Sequence, residues 1–559
     1  MSNPPRSASI RNARMRWRSV IVIALLAPLL LGYTFGDDAT ALLRELDLFG
    51  GIAREVISNY VERIDPTNLV KAGIKGMLGS LDPYSVYIDE QDKADVEMLT
   101  LGSYGGIGVT ISDFNGHHVV SAFANETAKS ATGLRIGDEV LRIDTMNVEG
   151  RSIDLKRYLR GLAGTMVQLT TRRPGIDSIL SIPIERRDVQ VRGVNFIEAL
   201  DEGLLYIKLD RFTRSTGIEL RAQLQRSLGE STVTGIVLDL RDNPGGLLDA
   251  AVEVSELFVP KGSLIVRTRG RQAQYTREFT SDSDPLSTAI PLAVLVNRGS
   301  ASASEIVAGA MQDLDRAILV GETTYGKGLV QNVFSLGNNA SLKLTTSKYY
   351  TPSGRCIQKN DYGKRGVDGV ILSDPMDTVK TFRSLLLHRT LHGAGGIDPD
   401  IAIAPDSSSL ILRSLTQNGA LLSFVAATIN TRRLTEVPPI DEAMRAALHA
   451  RFDTAAAVLR PQAEVQYKAL LLQLEREGFP KKTLQKATAL GAALKDGRPD
   501  QLDASWEQLR APLAAEFAMQ LGGVRMRFLQ TRHQDPVLLR AMRVLRNAAE
   551  YQSVMATGH

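Results

Sequence analysis

The spacing of apolar positions changes character along the chain, and each change marks a boundary. Residues 20–36 (VIVIALLAPLLLGYTFG) are an uncharged apolar run. From 37 to about 97, apolar residues recur at helical spacing, as in Leu42, Leu43, Leu46 and then Ile52, Val56, Ile57, Tyr60, Val61. Asp65-Pro66-Thr67 interrupts them, 69–78 continues as a second helix, and 81–85 turns. This reads as a helical lead-in. From 98 to 188 the pattern becomes short strands at 105–111, 119–123, 139–143, 167–171 and 179–184, with helices at 127–132 and 153–162. From 189 to 405 strands and helices alternate: strands at 204–209, 235–240, 291–296, 317–320 and 340–350, helices at 216–227 and through Phe258. A return to the sheet follows near 397–404. Alternation of that kind predicts a mostly parallel sheet with helices packed on it, an α/β fold. From 406 to 559 the segments 442–459, 462–477, 482–494 and 502–546 are rich in alanine and leucine with helical periodicity and no fixed repeat. Packing or dimerisation is the expected use of this helical region.

A chain of 559 residues is too long for a single core. Its 43% hydrophobic and 23% charged content is ordinary for globular protein. The net charge of +4 is local. Arg6, Arg11, Arg14, Arg16 and Arg18 precede the first acidic residue, and without those five the remainder sums to −1. A near-neutral body has no electrostatic footprint for nucleic acid. A basic segment followed by the apolar run at 20–36 is the pattern of an export signal or signal anchor with its positive side inside. The expectation is a periplasmic or extracytoplasmic body, held at the cytoplasmic membrane if residues 20–36 are retained. Cys356 is the single cysteine, which excludes an intrachain disulfide and a thiolate metal cluster.

Chemistry concentrates in residues 290–331, which read IPLAVLVNRG, SASASEIVAGAMQDLDRA and ILVGETTYGKGLVQ. Three serines, Ser300, Ser302 and Ser304, stand where a strand turns into a helix. Ser302 with Glu305 fits S-x-x-E, the capping box of a helix start. The same place suits a nucleophile, because free N–H groups there can hold an oxyanion. None of the seven histidines stands in a motif beside the serines. Lys327, between Gly326 and Gly328, is the alternative base, and an amine works as a base only when neutral. Lowering a lysine from about 10.4 to about 7–8 takes roughly 4 kcal/mol of differential destabilisation of the ammonium, which an apolar pocket supplies by desolvation. Gln331 lies four residues on, roughly 13 Å away along a straight strand. It reaches the amine only if the chain bends at the flanking glycines.

Two resemblances follow from longer motifs. Tyr104-Gly105-Gly106-Ile107-Gly108, with Leu134-Arg135-Ile136-Gly137-Asp138 before the third strand, resembles a PDZ domain. In that family the glycine loop points N–H groups at a peptide's terminal carboxylate, and the peptide adds as a strand. The segments DLRDNPGGLLDAAVEVSELF, LVNRGSASASEIVAGAMQDLDRAILVGETTYGKGLVQ and YYTPSGRCIQ resemble the carboxyl-terminal processing peptidases, or tail-specific proteases. That likeness spans roughly residues 40–405. It implies a crotonase-like α/β catalytic domain at 189–405 carrying an inserted PDZ-like domain at 98–188. It also implies Ser302 as nucleophile, Lys327 as general base and Gln331 as the residue orienting the lysine. Ala303 N–H and a glycine of the Gly245-Gly246 pair would form the oxyanion hole. Asp313 and Arg316 match a further motif position and are expected to be an ion pair supporting the site. No metal or nucleotide is implied. The implied partners are polypeptides with accessible C-termini, with an adaptor protein or a second copy of the chain as further candidates. Two other classes stay open from sequence: an idle PDZ-bearing scaffold, and an acyl-thioester enzyme on a similar sheet. The intact serine, lysine and glutamine disfavour the first, and the export signal disfavours the second.

Overall fold

The computed structural model describes residues 36–89, 102–337, 340–362, 380–393, 395–404, 410–453, 462–496 and 501–557. The apolar run before Gly36 and most of the loop 360–377 lie outside the described residues. The described residues up to 87 and those from 88 onward form two compact units.

In the first unit, helices Gly36–Asn59 and Pro66–Gly79 realise the expected lead-in. Asp65 caps the second by accepting from Thr67 N–H at 2.9 Å, and Pro66 supplies its first turn, where no N–H is needed. Leu42, Leu46, Phe49 and Ile52 of the first helix are half or more exposed.

In the second unit, a six-stranded sheet carries the centre. Its order is Val194–Ala199, Leu204–Leu209, Gly235–Asp239, Leu292–Val296, Ile318–Gly321, Ile401–Ala402. The first pair is antiparallel and the other four are parallel. The middle strands are buried at every residue, so both faces need cover. Alternate side chains serve the two faces. Ile236 and Leu238 pack with Leu220, Val254 and Val307 of the helices Thr216–Glu230, Leu248–Glu256 and Ala303–Asp313. Val237, Leu295 and Val320 pack instead with Phe528, Leu538, Met542, Leu545 and Met555. That second cover comes from the C-terminal helices, so the division expected at residue 405 does not separate two cores.

The segment of helical periodicity at 502–546 forms three helices, Gln501–Ala504, Trp506–Thr531 and Pro536–Arg546. Asp535-Pro536 starts the third, with the carboxylate accepting from Val537 N–H and Leu538 N–H, a strong stop-and-start signal. Gly523, at φ +72°, breaks the middle helix. Leu509, Leu513 and Phe517 before the break join a helical cluster with Phe424, Val425, Met444 and Leu448. Phe528 after it stacks on Tyr206 of the six-stranded sheet, ring centres 4.1 Å apart.

An antiparallel sheet flanks the core in the order Leu329–Gly337, Ala340–Tyr350, Leu264–Gly270, Arg277–Thr280. Residues 103–190 form a β-rich region of the second unit. Its main sheet runs Val109–Phe114, His117–Phe123, Glu139–Ile143, Met166–Arg172, Ile179–Glu185, around Val120, Val140, Leu169 and Ile184. The strand expected at 105–111 is broken. Ser103–Gly106 pairs with Arg187–Gln190, Gly108 turns at φ +72°, and Val109–Phe114 begins the main sheet. The helix expected at 153–162 shrinks to Lys156–Leu159. Asn430 Nδ2 donates to Pro174 O at 2.9 Å and Arg135 Nη1 to Asn430 Oδ1 at 2.7 Å, tying this domain to helix Ala420–Arg432.

Candidate active site

The three serines, indistinguishable by pattern, separate by where their hydroxyls go. Ser300 Oγ donates to Leu240 O at 2.8 Å and Ser304 Oγ to Asn243 O at 2.9 Å, and both residues are fully buried. Each ties the turn after Leu292–Val296 to the loop after Gly235–Asp239. Ser302, between them, is half-buried and sits at φ +57°, ψ −112°. A non-glycine residue there costs of order 1–3 kcal/mol and persists only where its surroundings hold it. Such strain at a strand-to-helix turn is what presents a nucleophile's oxygen in hydrolases built on a sharp elbow.

What holds Ser302 is mostly Glu305. The carboxylate arm of the expected capping box is formed, Glu305 Oε2 accepting from Ser302 N–H at 2.7 Å. The second arm of the box is present as well, the Ser302 side chain facing Glu305 N–H, which also donates to the Ser302 carbonyl at 2.8 Å. Tyr349 Oη, buried on the flanking sheet, donates to the same carbonyl at 3.1 Å. Glu305 itself is fully buried and accepts three further bonds: Thr324 Oγ1 at 2.6 Å, Gly326 N–H at 2.7 Å and Lys327 N–H at 3.0 Å. Burial pushes its carboxyl upward, against the pull of those four donors. Because Oε2 serves both Ser302 and Lys327, the two main-chain nitrogens lie within 5.7 Å, the sum of its two contacts.

Lys327 is half-buried and precedes the strand Leu329–Gly337 rather than lying on it. Gly326 turns at φ +87°, and Gly328 N–H donates to Gln358 Oε1 at 2.8 Å, which presses this segment against residue 358. The 13 Å separation of a straight strand therefore does not apply. Gln331 is on the strand and gives its amide nitrogen to Thr345 Oγ1 at 3.2 Å.

The two glycines of the loop differ. Gly245, at φ +96°, lies so close to the serine turn that a Cβ would sit 2.6 Å from Ala301 O and 2.9 Å from Ser302 Cβ. Its N–H donates to Asn243 Oδ1 at 2.9 Å. Gly246 is held by its neighbours, Phe212 N–H donating to Gly245 O and Leu247 N–H to Phe212 O, neither of which uses Gly246 N–H. Ala303 is the first residue of its helix, where the N–H has no intrahelical acceptor.

The expected Asp313–Arg316 ion pair is absent. Asp313 Oδ1 pairs with buried Arg355 at 2.6 Å, and Oδ2 accepts from Ser353 N–H. Arg316 instead donates to the carbonyls of Phe258, Ser287 and Ile290, and burial lowers its pKa. Spacing within DLDRA could not show this, because the partners come from other loops. Sequence reasoning also passed over Asn243, Tyr349 and Asp239, although each lies in a segment that carried the family likeness. Asp239 is buried, accepts from Tyr206 Oη at 2.7 Å and is bound by Arg241. Burial opposes its charge, but Arg241 and Lys208 outweigh it and hold the carboxyl well below its usual range. His117 pairs with Glu139 and His449 with Asp503, away from the serine turn. Among the described residues no cluster of His, Cys, Asp and Glu is arranged for a metal ion.

In Tyr104–Gly108, the first three residues are strand, and Gly105 O accepts from Gly161 N–H. Tyr104, Ile107, Gly108, Val109 and Ile111 line one wall of a cavity of about 510 Å³, facing Ile153, Leu155 and Leu159. The Arg160 guanidinium lies 5.1 Å from the centre of the Tyr104 ring at its mouth.

Residues 203–368 match the model of peptidase family S41, and residues 43–92 match the N-terminal domain of the activating protease CtpB. The carboxy-terminal-processing protease of Bartonella bacilliformis is 40% identical over 319 residues, 56% of this chain and 73% of that one. The carboxyl-terminal-processing protease of Synechocystis is 35% identical over 51% of this chain and 68% of its own length. The carboxy-terminal processing protease CtpB of Bacillus subtilis is 35% identical over 55% and 64%. Identity of that degree over most of a relative's length, with a family match whose range, 203–368, includes the serine turn, the glycine loop and the glycine-flanked lysine, places this chain in the carboxy-terminal processing proteases, serine endopeptidases of peptidase family S41.

Proposed function

We propose that this protein cleaves polypeptides near their C-termini with Ser302 as nucleophile and Lys327 as general base. The observation that carries the reading is the shared Glu305 carboxylate, which fixes the main chains of Ser302 and Lys327 to one buried point. Neutral Lys327 takes the Ser302 proton as Oγ attacks the scissile carbonyl. The developing oxyanion is met by Ala303 N–H and a glycine N–H, and Gly246 is the better donor because Gly245 N–H is spent on Asn243. The protonated lysine gives its proton to the leaving amine, and the C-terminal fragment departs. Water then releases the acyl chain by the reverse path. With Gln331 Nε2 engaged by Thr345, its carbonyl oxygen is the atom left to orient the lysine.

The β-domain at 103–190 acts in this reading as a PDZ-like receptor. Among the described residues Val109–Phe114 is an edge strand, paired only with His117–Phe123, and its residues line the cavity. A peptide adding there would have its side chains against Ile107, Ile111 and Leu159 and its carboxylate at the Gly106–Gly108 turn. The apolar lining selects apolar tails. The sheet carrying the serine turn is of the crotonase-like kind, and the arginine-rich, apolar N-terminal segment directs the body outside the cytoplasmic membrane.

The test is cleavage of an unfolded substrate with an apolar C-terminus by wild type, Ser302→Ala and Lys327→Ala. Both variants are expected to be inactive; turnover by either refutes the dyad. Amidating the substrate's C-terminus should raise KM, and an unchanged KM refutes the receptor role.

A further inference from the structure

The loop carrying Gly245 takes part of its support from the far end of the chain. We propose that Asp535, at the start of helix Pro536–Arg546, is a positioning residue: its carboxylate fixes Arg241, and Arg241 fixes the Asp242–Gly246 loop against Ser302. The inference rests on Ser302 being the nucleophile.

Asp535 divides its oxygens between two tasks. Oδ1 caps the helix, accepting from Val537 N–H at 3.0 Å and Leu538 N–H at 3.1 Å. Oδ2 meets Arg241 Nη2 at 2.7 Å, with the two side chains only 20% and 18% exposed. Arg241 is held on its other side by Asp239, Nη2 to Oδ2 at 2.5 Å and Nε to Oδ1 at 3.0 Å. Lys208 Nζ approaches Asp239 at 3.6 Å and donates to the Arg241 carbonyl at 2.5 Å. Two cations therefore share this largely dry site, and Asp239 alone neutralises one of them. Asp535 makes the set neutral. Without it a partly buried guanidinium keeps an uncompensated charge, which favours its rotation toward water.

Rotation at Arg241 is not absorbed locally. Asp242 follows at φ +59°, its N–H donating to Asn297 Oδ1 at 2.9 Å. The Asn243 carbonyl then accepts from Ala301 N–H at 3.0 Å and Ser304 Oγ at 2.9 Å, the residues on either side of Ser302. Asn243 Oδ1 holds Gly245 N–H. A displacement at Arg241 thus reaches both the serine turn and the glycine loop through bonds already at normal length. Catalytic groups tolerate little misplacement: about 1 Å costs on the order of a hundredfold in rate.

The test separates capping from positioning in the full-length protein. Asp535→Asn keeps an oxygen for the cap but turns an NH2 donor toward Arg241. Asp535→Ser keeps the cap and leaves Arg241 without its second carboxylate, and Asp535→Ala loses both. Thermal unfolding and steady-state cleavage of the apolar-tailed substrate are measured for each, beside wild type and Ser302→Ala. Asn and Ser are expected to lower kcat about tenfold, with KM within about twofold and Tm close to wild type; Ala should lower Tm further. Wild-type kcat in the Asn and Ser variants overturns the proposal. So does a loss that matches the unfolded fraction at the assay temperature, or one that appears only in KM. If wild type does not cleave, or Ser302→Ala does, the reading of the site has failed and this inference falls with it.

Discussion

Replacing Glu305 with glutamine is the sharpest probe of the site, because it changes one atom's hydrogen-bonding sense and little shape. The carboxylate accepts four bonds, two at each oxygen. A glutamine must put its NH2 at one of them. At the Oε2 position it would face two main-chain donors, Ser302 N–H and Lys327 N–H, and neither can reverse. At the Oε1 position it faces Thr324, whose hydroxyl can turn to accept, and Gly326 N–H, which cannot. The second placement wins and leaves one buried N–H unpaired, a cost of about 1–3 kcal/mol. Removing a charge from a fully buried place offsets part of that cost. Glu305→Ala, which orphans all four donors, should cost more, about 3–5 kcal/mol.

The pH dependence gives the same substitution a second, independent readout. Burial raises the folded pKa of Glu305 above its ordinary value, so the folded state holds this proton more tightly than the unfolded chain. A group of that kind stabilises fully below the unfolded pKa, and its contribution is lost as pH rises through the folded pKa. Glutamine has no such term. The penalty of Glu305→Gln, from urea unfolding at several pH values, should be largest near pH 4 and shrink as pH rises, levelling above the folded pKa. Cleavage should fall together with stability, since the orphaned Gly326 N–H adjoins Lys327. A variant as stable and active as wild type at neutral pH would refute the reasoning, as would a penalty that grows with pH.

Three further outcomes are expected. Ser302→Gly should unfold at higher temperature than Ser302→Ala, by about 1 kcal/mol or more, because glycine relieves the φ +57° strain that alanine keeps; equal melting temperatures would mean the turn is not strained. Gly245→Ala should abolish cleavage, since a Cβ would sit 2.8 Å from Ala303 N and 2.9 Å from Ser302 Cβ at a φ of +96°; measurable turnover would show that the loop can retreat. Arg389→Ala should destabilise by about 3–5 kcal/mol in urea titration. It strands Asp315 and Asp400, whose side chains are 1% exposed and which it binds at 2.6 and 2.8 Å; a cost under about 1 kcal/mol would mean water enters the site.

Strand Leu204–Leu209 and strand Ala340–Tyr350 match the expected boundaries, because β-rich runs bounded by breakers are a local signal. The cover of the sheet's second face was not legible in the same way. Continuous apolar runs such as Gly235–Asp239 announce that both faces are buried, but the helices Thr216–Glu230, Leu248–Glu256 and Ala303–Asp313 all fall on one face. An amphipathic helix records that it covers something and does not record what. The packing of Phe528, Leu538 and Leu545 on Val237 and Leu295 is what makes the C-terminal helices that cover.

The serine stretch shows the same limit at the scale of single atoms. In SASASE the three serines share neighbours, spacing and helix-start position, and periodicity gives none of them priority. Their difference lies in partners about sixty residues upstream, Leu240 O for Ser300 and Asn243 O for Ser304. Those two hydroxyls are structural because a neighbouring loop consumes them, and the strained main chain between them leaves Ser302 half-exposed. The capping box is formed, and Glu305 does more than close it: its other oxygen and its second bond reach the lysine turn, where no local motif points. One carboxylate thus holds the main chains of Ser302 and Lys327 together, where the sequence could assign it only to a helix end. The helix-start pattern and the anchoring of the lysine turn therefore depend on the same buried acid.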